Sequence, residues 1–184
     1  DMAQLDVPLI LQEDDFTCTP VCVKMVLEYI RKKFPDIPEL DIPTITKALK
    51  TDEGGTMFMN LKGINEALLK ALPSVDFIPG WGHKLEEIEE EIKQAQRPVI
   101  AWVNMPSPQG EIPHSIVITD VDRENLLIYY NDPVYGKKQI PLGQFISMWE
   151  KSFFILVKVK IGERRQRFIE EYVQKSNLTR SDEV

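Results

Sequence analysis

The sequence predicts an α+β fold in which a helical part comes first and a mostly antiparallel β-sheet follows. The first observation is a stripe of apolar residues with the spacing of one buried helix face, made by Cys22, Met25, Val26, Tyr29 and Ile30. The second is a change in the sequence pattern near residue 98, after which short runs of β-favouring residues alternate with turns. Helices and strands do not alternate regularly, so a parallel βαβ sheet is not expected.

The helical part is predicted to contain four helices and one short strand. Pro20 suits the first turn of the first helix, because its missing N–H costs nothing there, and Pro35 ends that helix. The predicted helices cover residues 17–34, 41–49, 61–72 and 85–96, the last of them acidic on its exposed face. An extended or strand-like segment at residues 6–12 precedes them, and the short strand lies at residues 75–78.

The sheet part is predicted to contain five strands, at residues 98–103, 114–121, 126–130, 138–140 and 153–159. The second and third of these form a hairpin around residues 122–125, residues 106–110 form a loop, and residues 142–150 form a short helix. A terminal helix is predicted at residues 163–173, before a polar tail. The predicted organisation is one domain over residues 1–162 and a carboxy-terminal helix and tail over residues 163–184.

Composition excludes several classes of function for this chain of 184 residues. Lys and Arg total 22 against 29 Asp and Glu, and the net charge of −7 argues against nucleic acid or an anionic membrane as the main partner. No apolar run is long enough to span a bilayer, and the first residues lack the pattern of a signal peptide. Two cysteines make a poor disulfide framework, so a reducing, cytoplasmic location is expected.

Cys18 is the stronger candidate of the two cysteines for chemistry. It lies at the start of the first predicted helix, where free N–H groups and the helix dipole lower a thiol pKa and favour the nucleophilic thiolate. Cys22 lies one turn later on the buried stripe, where an apolar setting raises the pKa and makes the thiol inert. The alternative is that both cysteines are small hydrophobic residues of the core.

Three further residues could complete a thiol-based site. Gln12, six residues before the cysteine, could donate its amide to an oxyanion formed by attack on a carbonyl. His114 follows Pro113 and opens a predicted strand, where an imidazole could act as base to the thiol. Asp132 lies 18 residues further on, just past the partner strand of the hairpin, and could hold the imidazole in one tautomer. Taken singly, each could also be an ordinary surface, core or turn residue.

The ordered set resembles the C39-like cysteine peptidases, which have a papain-like fold. The matching residues are Val7, Pro8, Gln12, Cys18, Pro20, the strand at 98–103, His114, Asp132, Pro133, Gly136, Phe145 and Trp149. The resemblance extends over roughly residues 7–159. It implies that Cys18 is the nucleophile, His114 the general base and acid, Asp132 the orienting carboxylate and Gln12 the oxyanion donor. The implied reaction is hydrolysis of a peptide or amide bond through a thioester, on a peptide or protein substrate and without a cofactor.

Two features depart from the pattern of this family. Thr19 follows the cysteine where the family usually has glycine, and its branched side chain could crowd the substrate or shift the oxyanion N–H. Glu13, Asp14 and Asp15 place negative charge in the loop before the cysteine, which is expected to raise the thiol pKa. Substrate specificity is expected to depend on the loops at residues 51–59 and 105–113.

Three other functions stay open at this stage. The fold could bind peptides with weak or no catalysis, or it could act as a related thiol amidohydrolase or acyltransferase. The third is a structural zinc site formed by Cys18, Cys22, His83 and His114, which would need both cysteines to turn out of the core.

Overall fold

The computed structural model describes residues 4–162 and places one six-stranded antiparallel sheet at their centre. The helices are α1 (Cys18–Lys33), α2 (Ile42–Ala48), α3 (Phe58–Ala67), α4 (Leu85–Glu89) and α5 (Leu142–Glu150), with a π-helical segment at Glu90–Gln94 directly after α4. The strands are β1 (Val75–Gly80), β2 (Val99–Ser107), β3 (Gly110–Asp122), β4 (Leu127–Asp132), β5 (Gly136–Pro141) and β6 (Leu156–Ile161). Their order across the sheet is β1-β6-β2-β3-β4-β5, which confirms the predicted α+β class.

Helices cover both faces of the sheet, and each face has its own apolar layer. On one face α1 packs with α2 and α3 over residues that include Ile100, Val117 and Val157. On the other face α4, the π-helical segment and α5 cover Ala101 and Ile116, among others. Adjacent strand residues point to opposite faces, so the central strands β2 and β3 are buried on both sides and contain continuous apolar runs.

Helix α1 agrees with its prediction to within one residue at each end. Pro20 lies in its first turn, and Arg31, Lys32 and Lys33 lie in its last turn, where positive charge is favourable to the helix dipole. Almost all of its residues from Thr19 to Ile30 are buried. The helix is therefore a central, fixed element, and its first residue is held in one place against the sheet.

The hairpin of β2 and β3 is longer than predicted, because the expected loop at residues 106–110 belongs mostly to the strands. Pairing continues to Ser107 opposite Gly110, so the connection is a tight turn of two residues. Pro106 is tolerated in β2 because β6 pairs with this strand only at Ile100 and Ala101, which leaves the far end of β2 at a sheet edge. His114 consequently lies within β3, and the prediction that it opens a strand is wrong.

The pairing of β3 with β4 brings two distant parts of the sequence together. Val117 lies opposite Asn131, so the end of β4 lies beside the stretch of β3 that contains His114. Asp132 is the last residue of β4 and not, as predicted, a residue just past the strand. Its neighbour Asn131 is buried and donates from Nδ2 to the carbonyl oxygen of Val7 at 2.9 Å, which fixes the amino-terminal segment on this part of the sheet.

Several other element bounds differ from the prediction for local reasons. Residues 6–12 are extended but form no strand, α3 covers residues 58–67 and not 61–72, and β6 starts at Leu156 and not near residue 153. The late start of β6 follows from Phe153 and Phe154, which both have positive φ and turn the chain after α5. The acidic helix at 85–96 is α4 continued by the π-helical segment. The helix predicted at 163–173 lies outside the described residues.

Within residues 4–162, no helix combines the length and the apolar character that crossing a bilayer requires.

Candidate active site

Cys18 is the first residue of α1, and the loop before it is held in shape by a single carboxylate. Oδ1 of Asp14 accepts hydrogen bonds from the backbone N–H groups of Phe16 and Thr17, at 3.0 and 2.9 Å, and from the Thr17 hydroxyl at 2.8 Å. Thr17 provides no side-chain cap of its own to the helix, so Asp14 organises the approach to it. The result is a partly exposed thiol at a helix amino terminus, where the first N–H groups have no partner within the helix.

His114 and Asp132 are directly hydrogen bonded in the structure. The distance from Nε2 of His114 to Oδ1 of Asp132 is 2.8 Å, and the Asp132 side chain is fully buried. Oδ1 also accepts from the backbone N–H groups of Val134 and Tyr135, at 2.7 and 3.1 Å. Because Nε2 is used by the carboxylate, Nδ1 is the ring nitrogen left for the Cys18 thiol.

The three groups shift one another's ionisation in the direction that thiol chemistry needs. Burial opposes ionisation of Cys18, but a hydrogen bond and positive charge from His114, together with smaller effects of Ser115 and Thr19, hold the thiol pKa below its ordinary value. Burial also disfavours the imidazolium, yet Asp132 and then Cys18 raise the pKa of His114 to about 9. Burial raises and His114 lowers the pKa of Asp132, with a net decrease. The shifts of Cys18 and His114 both favour a thiolate beside an imidazolium.

Cys22 behaves in the opposite way, as predicted. It is fully buried on α1, and burial raises its pKa well above the ordinary value, with a further increase from the nearby Cys18. The two cysteines therefore divide into one ionisable thiol and one inert core residue.

The acidic loop is expected to raise the thiol pKa, but its carboxylates are not among the main influences on that pKa. The pKa of Cys18 is lowered, with burial, His114, Ser115 and Thr19 as the main influences. Asp14 is occupied by three donors of its own loop, so part of its negative charge is compensated there.

Gln12 is hydrogen bonded to the residue that follows Asp132, but its amide is partly engaged elsewhere. Its Nε2 donates to the backbone oxygen of Asp14 at 2.5 Å, and its backbone N–H donates to the carbonyl of Pro133 at 2.7 Å. Among the described residues, its Oε1 is buried and has no hydrogen-bond partner. One of the two amide hydrogens remains for another acceptor. Gln12 is not among the residues that line the cleft described next.

A cleft of about 90 Å³ opens at Cys18 and His114. Its other lining residues are Thr19, Gly54, Gly55, Thr56, Trp102, Val103, Pro113, Ser115 and Ser152. Residues 54–56 and Pro113 belong to the two loops expected to govern specificity. Trp102, Ser115 and Ser152 were missed from the sequence, because strand and turn patterns do not show which residue meets a helix end 80 or more positions away.

Thr19 lines the cleft, but its side chain is buried and hydrogen bonded and does not project freely into it. It is 3% exposed, and its Oγ1 lies 2.7 Å from Oγ of Ser115, which is 2% exposed. The branched side chain is therefore accommodated between α1 and β3.

The zinc alternative is not supported by the arrangement of its four residues. In the part of the chain that the structure describes, no group of three or more His, Cys, Asp and Glu side chains is placed to hold a metal ion. Cys22 is enclosed in the core, and Nδ1 of His83 lies 3.0 Å from Oε1 of Glu87 in a separate hydrogen bond.

Known structures share this fold. A Bacillus anthracis protein described as a C39-like peptidase superposes with a TM-score of 0.65 at 15% identity, over 88% of this chain and 100% of its own. A double glycine motif protease from an AMS/PCAT transporter, solved with its leader peptide, gives 0.60 at 17% identity, over 86% and 94%. The peptidase domain of Streptococcus ComA, a bifunctional ABC transporter of a quorum sensing pathway, gives 0.57 at 17% identity, over 83% and 97%.

Sequence comparison gives the family directly. No curated protein sequence matches the chain significantly. The profile of the Peptidase_C39 like family, however, matches residues 4–155, which is most of the chain and includes all four candidate residues. The chain therefore belongs to the Peptidase_C39 like family.

Proposed function

We propose that this protein is a cysteine peptidase that hydrolyses a peptide bond through a thioester on Cys18. The observation that carries the proposal is the position of His114, hydrogen bonded to buried Asp132 on one side and interacting with the Cys18 thiol on the other. Membership of the family agrees with this chemistry. The leader peptide bound to the AMS/PCAT protease supports a peptide as the class of substrate.

Acylation begins with the Cys18 thiolate and the His114 imidazolium. The sulfur lone pair forms a bond to the carbonyl carbon, and the π electrons of the carbonyl move onto its oxygen. When this oxyanion collapses, the C–N bond breaks and the imidazolium gives its proton to the departing amine. The products of this half-reaction are a free amine, a thioester on Cys18 and a neutral imidazole.

Deacylation returns both groups to their starting states. Neutral His114 removes a proton from a water molecule as the water oxygen attacks the thioester carbonyl. Collapse of the second oxyanion breaks the C–S bond, which releases the carboxylic acid product and the Cys18 thiolate. The proton stays on His114, so the imidazolium is regenerated beside the thiolate.

Asp132 and Gln12 are assigned supporting roles in this scheme. The Asp132 carboxylate fixes Nε2 of His114 and favours its protonated form, so that Nδ1 faces the sulfur. The donors proposed for the oxyanion are the first N–H groups of α1 and the remaining hydrogen of the Gln12 amide.

The proposal predicts that peptide cleavage depends on Cys18 and His114 but not on Cys22. A library of unlabelled peptides is incubated with the wild type and with Cys18→Ala, His114→Ala and Cys22→Ala, and new termini are read by mass spectrometry. We expect cleavage by the wild type and by Cys22→Ala, and loss of at least about 10³-fold in the other two, because the nucleophile or its base is absent.

The same experiment separates the competing functions. Cleavage that survives in Cys18→Ala would contradict the proposal, as would peptide binding without any cleavage by the wild type. Amide products formed from an added amine, without free acid in water, would indicate an acyltransferase instead of a hydrolase.

Replacing Gln12 tests the oxyanion role separately from thiol ionisation. Gln12→Ala should lower kcat on peptides by about 10²-fold, the usual effect of removing one oxyanion donor. Alkylation of Cys18 by iodoacetamide should change little, because that reaction displaces iodide and forms no oxyanion. A parallel fall in both rates would indicate that Gln12 acts on the thiol or on the fold, and the assignment would be wrong.

Replacing Asp132 tests the origin of the raised histidine pKa. In the wild type the imidazolium of His114 should persist until the pH approaches about 9, because its folded pKa is raised above the ordinary 6.5. In Asp132→Asn the carboxylate charge is lost, so the midpoint should move to lower pH. The imidazole C–H signals of the two histidines report this by NMR, and His83→Gln assigns them. An unchanged His114 midpoint in Asp132→Asn would contradict the role given to the carboxylate.

A further inference from the structure

Two buried hydroxyl groups meet directly behind the proposed catalytic pair. Thr19 follows Cys18 on α1, and Ser115 follows His114 on β3. Their side-chain oxygens are 2.7 Å apart, although the two residues are 96 positions apart in the sequence. Both side chains are almost completely buried, so this hydrogen bond is shielded from competing solvent.

This bond links the two elements that carry the nucleophile and the base. Because Thr19 and Ser115 are the immediate chain neighbours of Cys18 and His114, a shift of one hydroxyl relative to the other moves the thiol relative to the imidazole. The bond therefore constrains the distance between the Cys18 thiol and the His114 imidazole through the residues next to them in the chain.

The same two residues also influence the ionisation of Cys18. After the opposing effect of burial and the larger effects of His114, the backbone N–H of Ser115 and the hydroxyl of Thr19 are the next groups that lower the pKa of Cys18. When the Thr19 hydroxyl donates to Sγ, its oxygen is free to accept from the Ser115 hydroxyl. The protons then run in one direction, from Ser115 through Thr19 to the sulfur, as a stabilised thiolate requires.

We propose that Thr19 and Ser115 form a positioning pair that holds the Cys18 thiolate against His114 by a relay of two hydroxyl hydrogen bonds. This inference rests on the proposed function and adds two residues to it. Thr19, which departs from the glycine usual in the family, gains a role in place of the crowding expected from its sequence position. Ser115 gains a positioning role that its place in an apolar strand does not suggest.

A purely structural role makes a different prediction from a positioning role. A buried hydroxyl pair that only stabilises the fold would change thermal stability when deleted and leave the ionisation of Cys18 as it is. Thr119 offers a matched control, because it is also buried on β3 and its Oγ1 donates to Oε1 of Gln4 at 3.3 Å, away from the cleft.

The experiment measures the rate of Cys18 alkylation by iodoacetamide against pH, with thermal unfolding recorded for every protein. The variants are Thr19→Val, Ser115→Ala, the conservative Thr19→Ser and the control Thr119→Val. Loss of a hydrogen bond to a charged group should raise the midpoint in Thr19→Val by about one pH unit, which is about tenfold slower alkylation below the midpoint. Ser115→Ala should shift it in the same direction by less, since it retains the backbone N–H.

Thr19→Ser should keep the wild-type profile of alkylation rate against pH, because serine retains the hydroxyl. Thr119→Val should also keep this profile, even if its thermal stability changes. Unchanged profiles in both Thr19→Val and Ser115→Ala would overturn the positioning pair while leaving the proposed function intact. If Thr19→Val fails to fold, the profile of Ser115→Ala alone decides whether the positioning pair is supported or overturned. A wild-type thiol that ionises at its ordinary pH would overturn the proposed function itself, and the inference with it.

Discussion

The hydrogen bond between His114 and Asp132 is the interaction on which the rest of the site depends. It joins β3 to the end of β4 at 2.8 Å, with the carboxylate fully buried. A buried carboxylate that accepts three donors on one oxygen favours its ionised form, and that charge in turn favours the imidazolium. The positive ring then lowers the pKa of Cys18. Without the carboxylate, the imidazolium of His114 would lose stabilisation, and the Cys18 thiolate would lose it in turn.

The fold supplies this arrangement from three separate parts of the chain. Helix α1 is buried along most of its length, so Cys18 at its first residue is fixed relative to the sheet. The register of β3 against β4 sets Asp132 beside His114, and the hydrogen bond between the Thr19 and Ser115 hydroxyls ties the helix start to β3. The site is therefore a product of packing between one helix and two strands, and no single local motif creates it.

The sequence predicted the four candidate residues and the α+β class because both depend on local signals. A cysteine at a helix start, a histidine in a strand and an aspartate before proline are visible in the printed letters, and so is helical periodicity. The place of His114 within its strand was predicted wrongly, because Pro106 and Gly110 read as a loop while the sheet edge tolerates them as strand. The meeting of Thr19 with Ser115 depends on tertiary contact and has no local signal.

Titration of the Cys18 thiolate tests the account most directly, because the ion pair with His114 is its central claim. The ultraviolet absorbance of the thiolate would be followed against pH in Cys22→Ala, where Cys18 is the remaining thiol, with and without His114→Ala. We expect ionisation below the ordinary thiol pKa of 9.0, and a rise of the midpoint to or above that value when the imidazole is removed. Two results would contradict the ion pair: ionisation of Cys18 at the ordinary pKa with His114 present, or a midpoint that does not change in His114→Ala.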